Sequence, residues 1–410
     1  MRIGIIGGGI GGLTLAQALR AKNIDVIVFD RDPGPWRTPG YRLHLSGEAL
    51  SALRQGLPER FEQAIRASGT GPEAFRTFSI MDHRGKTQFL IPSPAGEDLA
   101  MIGRVPLRTI LAAEMEDIIR WGVRYERYEE RESGVRLYFN NAASEKVDIL
   151  VGADGVRSLV GRQLLGRPSA KSAGIIGIAG KTLLTDAIRI SLNKDLYQGP
   201  GFVIGPKGVG AFYTIHDLSG GSVLDGGTTN SLIRTEEPYM VWSVAAPLSI
   251  YSADPAKLTS GQLMEETLRL IRDWSPVYRQ IVQQATPNSA AAFPFWFPAA
   301  LAPWMSRRVT LIGDAIHPMP PTAGLGASTA IIDAVTLAQL LATTTDAADA
   351  LKAYQTEMLK YAPRAVDEAR PPLIWQQRFA NPLLRVTAMQ VFFPAANAFV
   401  KWKTQFKSRT

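Results

Sequence analysis

The 410-residue sequence predicts an α/β protein: a parallel sheet assembled from distant segments, a second, mainly antiparallel β-sheet domain, and a C-terminal helical segment. Three observations predict it. The chain opens on a βαβ pattern, apolar runs of the same kind recur far downstream, and between about 172 and 254 the texture changes to short β-type runs cut by glycine and proline.

Residues 3–6 form the first apolar run, followed by a glycine cluster, a helix with Leu13, Ala16 and Leu19 on one face, and a second apolar strand at 26–29. Parallel strands buried on both faces read as continuous apolar runs, and 147–151 and 309–312 have that form. Helices are predicted over 46–55, 106–121, 156–165, 258–282 and 327–341, with Ser46 as an N-cap and Pro106 as a first-turn proline. Runs at 201–204, 210–215 and 240–244 predict the antiparallel sheet, and a hairpin over 75–91 turning at 82–85 adds to it. After Asp346 the pattern is helical, cut by Pro363, Pro371, Pro372, Pro382 and Pro394. Residues 1–72, 95–171 and 285–345 thus group as one discontinuous domain, 73–94 and 172–284 as the second, and 346–410 as the helical segment. The final stretch alternates aromatics with Lys401, Lys403 and Lys407. That pattern is open to membrane-surface docking or to a terminal helix packed on its own domain, the commoner outcome on general grounds.

Composition excludes several functions. Hydrophobic residues make up 46% and charged residues 20%, enough for sizeable cores and too apolar for a disordered chain. Lys and Arg number 45 against 37 Asp and Glu, but eight of these bases fall in the last fifty residues, so the body is nearly balanced. A nucleic-acid binder concentrates its bases in a stripe on the folded domain. With no cysteine there is no disulfide framework, thiolate nucleophile or iron–sulfur cluster, so redox chemistry requires a borrowed cofactor. The strand pattern from residue 2 leaves no room for a signal peptide, and the longest uncharged stretch, 280–306, holds four prolines. A cytoplasmic protein with no transmembrane segment is expected. The histidines, His44, His83, His216 and His317, lack zinc-site spacing, and no G-x-S-x-G occurs.

Gly7, Gly9 and Gly12 satisfy G-x-G-x-x-G directly after a strand and at the start of a helix. The first glycine permits a tight turn, the second lets backbone approach a pyrophosphate, and the third allows close helix–strand packing, with the helix N-terminus facing the phosphates. Asp30 ends the second strand, where a carboxylate can accept hydrogen bonds from a ribose.

Three further stretches extend the pattern. Gly152-Ala153-Asp154-Gly155 and Leu311-Ile312-Gly313-Asp314-Ala315 each follow an apolar strand, and Gly103-Arg104-Val105-Pro106 opens a helix. Over residues 1 to about 345 this ordered set resembles the class A, single-component flavoprotein monooxygenases of the para-hydroxybenzoate hydroxylase type. The resemblance implies a Rossmann-like FAD-binding domain, with Gly7, Gly9, Gly12 and Asp30 at the ADP half. It implies Gly313 and Asp314 at the ribityl chain, Arg104 at the ribityl or pyrophosphate part, Arg42 on the flavin side, and Asp154 and Gly155 at the motif linked to both FAD and NAD(P)H. Gly324, Gly326, Ala327 and Ser328 lead into a helix whose N-terminus can stabilise negative charge on the flavin. The family has Asn where this chain has Ser328, and an arginine where it has Gly161. The implied activity is insertion of one oxygen atom from O2, with NAD(P)H as transient reductant, through a C4a-hydroperoxyflavin. The acceptor is an aromatic or polycyclic small molecule, held between the two sheets near Phe202, Phe212, Trp242, Phe293, Phe295, Trp296 or Pro321. No catalytic residue is assigned. The alternative is an FAD-bound scaffold that binds or shapes a substrate without turnover.

Overall fold

The computed structural model describes residues 1–38, 40–93, 96–218 and 231–397. Five parallel strands, β1 (Arg2–Ile6), β2 (Asp25–Asp30), β8 (Ile119–Trp121), β12 (Ile149–Gly152) and β18 (Val309–Leu311), lie in the order β18-β12-β1-β2-β8. β1 is central, and Ile5 and Ile6, which point to opposite faces, are both buried, as a strand covered on both faces requires. Helix α1 (Ile10–Arg20) packs on α9 (Gly326–Thr343), which also receives α2 (Gly47–Gly56) and α10 (Ala347–Glu368). Among the described residues α9 is the one helix long and apolar enough to cross a membrane, and over half of it is buried inside the protein.

Two small sheets border this core: β3 (Arg42–Ser46), β7 (Leu99–Gly103) and β4 (Gly69–Thr70) in the order β3-β7-β4, with α3 (Glu59–Ala67) beside them, and a meander of β9 (Tyr125–Arg131), β10 (Gly134–Phe139) and β11 (Ser144–Val147). The seven-stranded sheet comprises β5 (Thr77–Asp82), β6 (Thr87–Pro92), β13 (Ala170–Leu183), β14 (Gly201–Ile204), β15 (Gly210–His216), β16 (Tyr239–Pro247) and β17 (Ala291–Pro298), ordered β17-β13-β16-β15-β14-β5-β6. It is antiparallel throughout except where the expected hairpin β5–β6 joins it, with β5 parallel to β14. One face packs on α6 (Asp186–Ser191), α7 (Ser260–Leu270) and α8 (Pro276–Gln283) through Tyr213, Met240 and Trp242. The opposite face is partly covered by α11 (Pro371–Arg378) and by Ala388 and Phe393, which follow α12 (Pro382–Thr387).

Several element expectations are corrected. The helix predicted over 106–121 is α4 (Arg104–Ala112) followed by strand β8, because Ala113 is extended and Glu114 adopts a left-handed φ of 60°. The run 147–151 divides at Asp148 between β11 and β12. The long helix over 258–282 is two, since Pro276 starts α8 and cannot continue α7. Of the 156–165 segment, only the part from Leu159 is helical, as α5 (Leu159–Leu165). Pro363 lies inside α10 without ending it, because Tyr354, Met358, Ala362 and Val366 bury the helix on either side of the lost hydrogen bond. β17 pairs with β13, so 291–298 join the antiparallel sheet, whereas the division at residue 285 grouped them with the parallel one. Phe393 packs against Phe89 and Phe379, and Lys401, Lys403 and Lys407 lie outside the described residues.

Candidate active site

The glycine loop is built on backbone approach. Gly7, at φ 110°, donates to Phe29 O, and a Cβ on it would sit 2.2 Å from Ala153 O. A Cβ on Gly12 would come within 1.9 Å of Gly7 O, so α1 can leave β1 at this angle only with glycine there. Gly9 is the opposite case: its missing Cβ faces open space. The loop is closed behind and open in front.

Asp30 stands beside this loop but is already engaged. Its carboxylate accepts from Gly8 N at 2.6 Å and Asp32 N at 2.7 Å, and pairs with Arg108 at 3.2 Å. Burial raises its pKa, against the pull of these partners. Arg108, almost fully buried, also donates to Gly8 O and Asp32 and packs over Trp121. Sequence reasoning missed Arg108. Its signal is the four-residue spacing from Arg104, which sets both guanidinium groups on one side of α4.

At the end of β18 the arrangement differs. Asp314 is open to solvent, yet protein surrounds it closely enough that desolvation raises its pKa, against the charges of His317 and Arg104. A carboxylate both accessible and crowded lies on the wall of a cleft. Among the described residues it accepts no side-chain hydrogen bond and forms no ion pair, and the nearby Arg104 guanidinium is likewise unpaired. Burial lowers the Arg104 pKa, and Asp314 partly offsets that. Gly326, the first residue of α9, is close enough that a Cβ on it would lie 3.9 Å from Asp314 Oδ1. The α9 N-terminus has no side-chain cap, which leaves its first-turn N–H groups, including those of Gly326, Ala327 and Ser328, for a ligand.

The turn carrying Asp314 is held from beneath. Asp333, fully buried in α9, accepts from Gly313 N at 2.7 Å and Tyr361 OH at 2.5 Å and contacts His317 Nε2 at 2.6 Å. Burial opposes charge on His317, but Asp333, with Asp314 adding to it, outweighs that and raises the imidazole pKa. Sequence reasoning missed Asp333 and Tyr361. The visible signal is a lone charge in the middle of the otherwise uncharged helix α9, which burial obliges to be paired.

Two predicted residues, Asp154 and Ser328, are used locally. Asp154 accepts from Ser158 Oγ and from Leu159 and Val160 N, capping α5; Gly155 beside it has φ 78° and open space where a Cβ would be. A Cβ on Gly161 would be 3.1 Å from Ala315 O, so α5 packs closely against the Asp314 turn, and a side chain there would require that turn or Ser158 to shift. Ser328 Oγ donates to His44 O and accepts from Ser46 N, tying β3 to α9.

Arg42 turns toward the seven-stranded sheet. Its guanidinium donates to Thr70 Oγ1, Thr214 Oγ1 and Ile215 O, its Nε has no partner, and burial lowers its pKa to about 10. Two residues on, His44 abuts Gly324, so one face of β3 spans from the α9 turn to the sheet. There His216 is fully buried, with neither ring nitrogen hydrogen-bonded, 4.8 Å from the Tyr239 ring and 3.5 Å from Glu236. Burial, with Arg42 and Lys181 adding to it, drives its pKa down to about 3, so the imidazole is neutral. Strand register puts Phe202, Phe212 and Phe293 on this same face. Trp242 is corrected: it lies on the opposite face, in the core against the helices. Phe202 and Phe295 are packed by the C-terminal helices and are core.

A dinucleotide loop open in front of Gly9, an unpaired Asp314 and Arg104 in one cleft, and an uncapped helix N-terminus beside them define a flavoprotein site, and these residues fit FAD. Comparison with known proteins agrees. Residues 5–56 match an NAD(P)-binding Rossmann-like domain and residues 283–369 an FAD binding domain, the latter containing Gly313 and Asp314. The dual O-methyltransferase/FAD-dependent monooxygenase elcB of Phaeosphaeria nodorum is 29% identical over 83% of this chain, which spans 40% of that protein's length. The aurachin C monooxygenase/isomerase of Stigmatella aurantiaca is 28% identical over 87% of this chain and 85% of its own. A crystal structure from Photorhabdus luminescens, assigned as an FAD-containing monooxygenase, superposes with a TM-score of 0.76 at 27% identity, covering 92% of this chain and 98% of that one. In fold and in matched segments the chain is similar to the FAD-dependent monooxygenases of the para-hydroxybenzoate hydroxylase type, a family of oxidoreductases.

Proposed function

We propose that this chain inserts one oxygen atom from O2 into an apolar aromatic or polycyclic small molecule, hydroxylation foremost, in the cytoplasm. In balance, substrate, O2, NAD(P)H and a proton give the oxygenated product, NAD(P)+ and water. The observation that carries the reading is the pairing of two surfaces across β3: the cleft with unpaired Asp314 and Arg104, and the sheet face with Phe212 and the unpartnered imidazole of His216. The names of relatives, which act on aurachin C and 3-amino-4-hydroxybenzoate, support a ring substrate.

Bound FAD supplies hydride acceptance from the nicotinamide and activation of O2. Gly7, Gly9 and Gly12 would hold its pyrophosphate end, Asp314 and Arg104 its ribityl part. The α9 N-terminus offers positive dipole where negative charge develops. His216, neutral and unpartnered, is fitted to accept a hydrogen bond from a substrate hydroxyl at one ring nitrogen without itself becoming charged, and the Arg42 guanidinium close by favours negative charge on that substrate oxygen.

The test is oxygen uptake and NADH or NADPH oxidation by the FAD-loaded chain across a panel of naphthols, quinolones and polycyclic phenols, with product mass read under labelled O2. Stimulated turnover with one labelled atom in the product is expected. FAD-loaded protein that consumes neither nucleotide faster with any member would instead favour the scaffold.

A further inference from the structure

The segment from α11 to Asn397 is amphipathic in an unusual sense: it is apolar toward the protein and apolar toward solvent. Its inner side is anchored. Leu373 joins Phe295 and Ile175, Gln376 Nε2 donates to Gly208 O and Ala245 O, and Phe393 stacks on Phe89. Its outer side carries Ile374, Trp375, Leu383, Leu384, Val386, Val391 and Phe392, with Leu383 79% and Phe392 64% exposed. These are seven of the sixteen large exposed apolar side chains among the described residues, gathered into nineteen positions. A helix apolar on both sides requires a second apolar phase.

Charge identifies that phase. From Pro371 to Thr410 there is no Asp or Glu, against Arg378, Arg385, Lys401, Lys403, Lys407 and Arg409. A second copy of the chain would bring two such uncompensated basic stretches together, which like charge disfavours. An anionic lipid surface takes both the apolar side chains and the bases. The helices are of eight and six residues, suited to lie on a bilayer and too short to cross one.

We propose that the outer face of α11, α12 and the turn after it docks the protein on an anionic bilayer surface. A further consequence rests on the monooxygenase reading: behind Ile374 an apolar recess of about 190 Å³ is lined by Ala173, Phe297, Arg370, Leu373, Ile374 and Gln377. Thr322, in the turn before Gly324, donates to Ala369 O at the start of α11. Docking therefore sets a lipophilic substrate's route from the bilayer beside the flavin-side turn.

The full FAD-loaded chain is sedimented with phosphatidylcholine vesicles and with phosphatidylcholine–phosphatidylglycerol vesicles, at low and high salt. Binding to the anionic vesicles alone, weakened by salt, is expected, and Leu383→Asp with Phe392→Asp should weaken it by about tenfold or more. Unchanged flavin content and melting temperature in that variant confirm that it folds. Absence of binding to anionic vesicles overturns the proposal. So does a solution dimer that the double variant splits while vesicles stay unbound, which would assign the face to a second copy. Neither result bears on whether the flavin turns over, so docking and oxygenation fail separately.

Discussion

Asp30 ends β2 and Asp314 lies in the turn after β18 of the same parallel sheet; the sequence assigns both to the same cofactor, but their surroundings differ. Asp30 is nearly buried and saturated by two backbone N–H groups and Arg108. Asp314 opens into a cleft with no partner of its own among the described residues. The first carboxylate shapes the loop that meets a ligand. The second is free to meet the ligand itself. A charged group at a strand end can therefore serve the fold or the site, and its hydrogen-bond inventory tells which.

The sharpest way to break this comparison is in the glycine loop, which contains both situations. Gly12→Val forces a side chain into Gly7 O and should yield no folded flavoprotein, whereas Gly9→Val should fold with an unchanged melting temperature and contain no flavin. Far-UV circular dichroism with the flavin absorbance of the purified proteins separates the two, and a flavin-loaded Gly9→Val protein would refute the open cradle. Next in size, Asp30→Ala leaves the N–H groups of Gly8 and Asp32 without their acceptor and removes one of the two carboxylates paired with Arg108, and should lose roughly 1–3 kcal/mol of stability, read by urea denaturation of the apoprotein. Asp314→Ala should leave apoprotein stability unchanged and weaken FAD about 10–100-fold, the equivalent of roughly 1.5–3 kcal/mol for hydrogen bonds to a charged group. Equal destabilisation by the two alanine variants would erase the distinction between them.

The support beneath Asp314 gives a pH-dependent test. The folded-state pKa of His317 is raised, so the stability its charge contributes is complete below the imidazole's ordinary pKa and is lost as pH rises through the higher folded value. Asp333→Asn removes the cause. Its melting temperature should be lower than that of the parent at about pH 6 and should converge toward it above about pH 8, within the range where an elevated imidazole titrates. A constant gap across that range would mean that His317 is not charged in the folded protein. The smallest effect belongs to Asp154, which caps a helix: Asp154→Ala should cost about 1 kcal/mol and retain bound FAD. Loss of FAD in that variant would return Asp154 to the cofactor's direct partners.

Much of the parallel half was legible because its chemistry is local. Gly7, Gly9 and Gly12 sit in one turn, and Asp30 is the next strand's last residue, so spacing alone relates them. Arg108 was less visible, since a buried arginine in an amphipathic helix looks like any surface base until its partners Gly8, Asp30 and Asp32 are folded against it. The Asp333, His317 and Tyr361 network was illegible for the same reason, its members coming from two helices and a turn. The helices predicted over 106–121 and 258–282 failed at Glu114 and Pro276, where one residue's backbone outweighed a continuing apolar period.

The sequence by itself determined that a dinucleotide-type loop exists, that any redox chemistry must come from a bound cofactor, and that a second sheet of antiparallel type faces the first. Those properties reside in glycine sterics, absent thiols and strand periodicity, which need no distant partner. Tertiary structure alone decided that Arg42 reaches Thr214, that His216 is buried with both ring nitrogens unpartnered, and that Trp242 faces away from the cleft. Side-chain direction and desolvation depend on what other segments bring alongside, and no spacing along one chain encodes that neighbourhood.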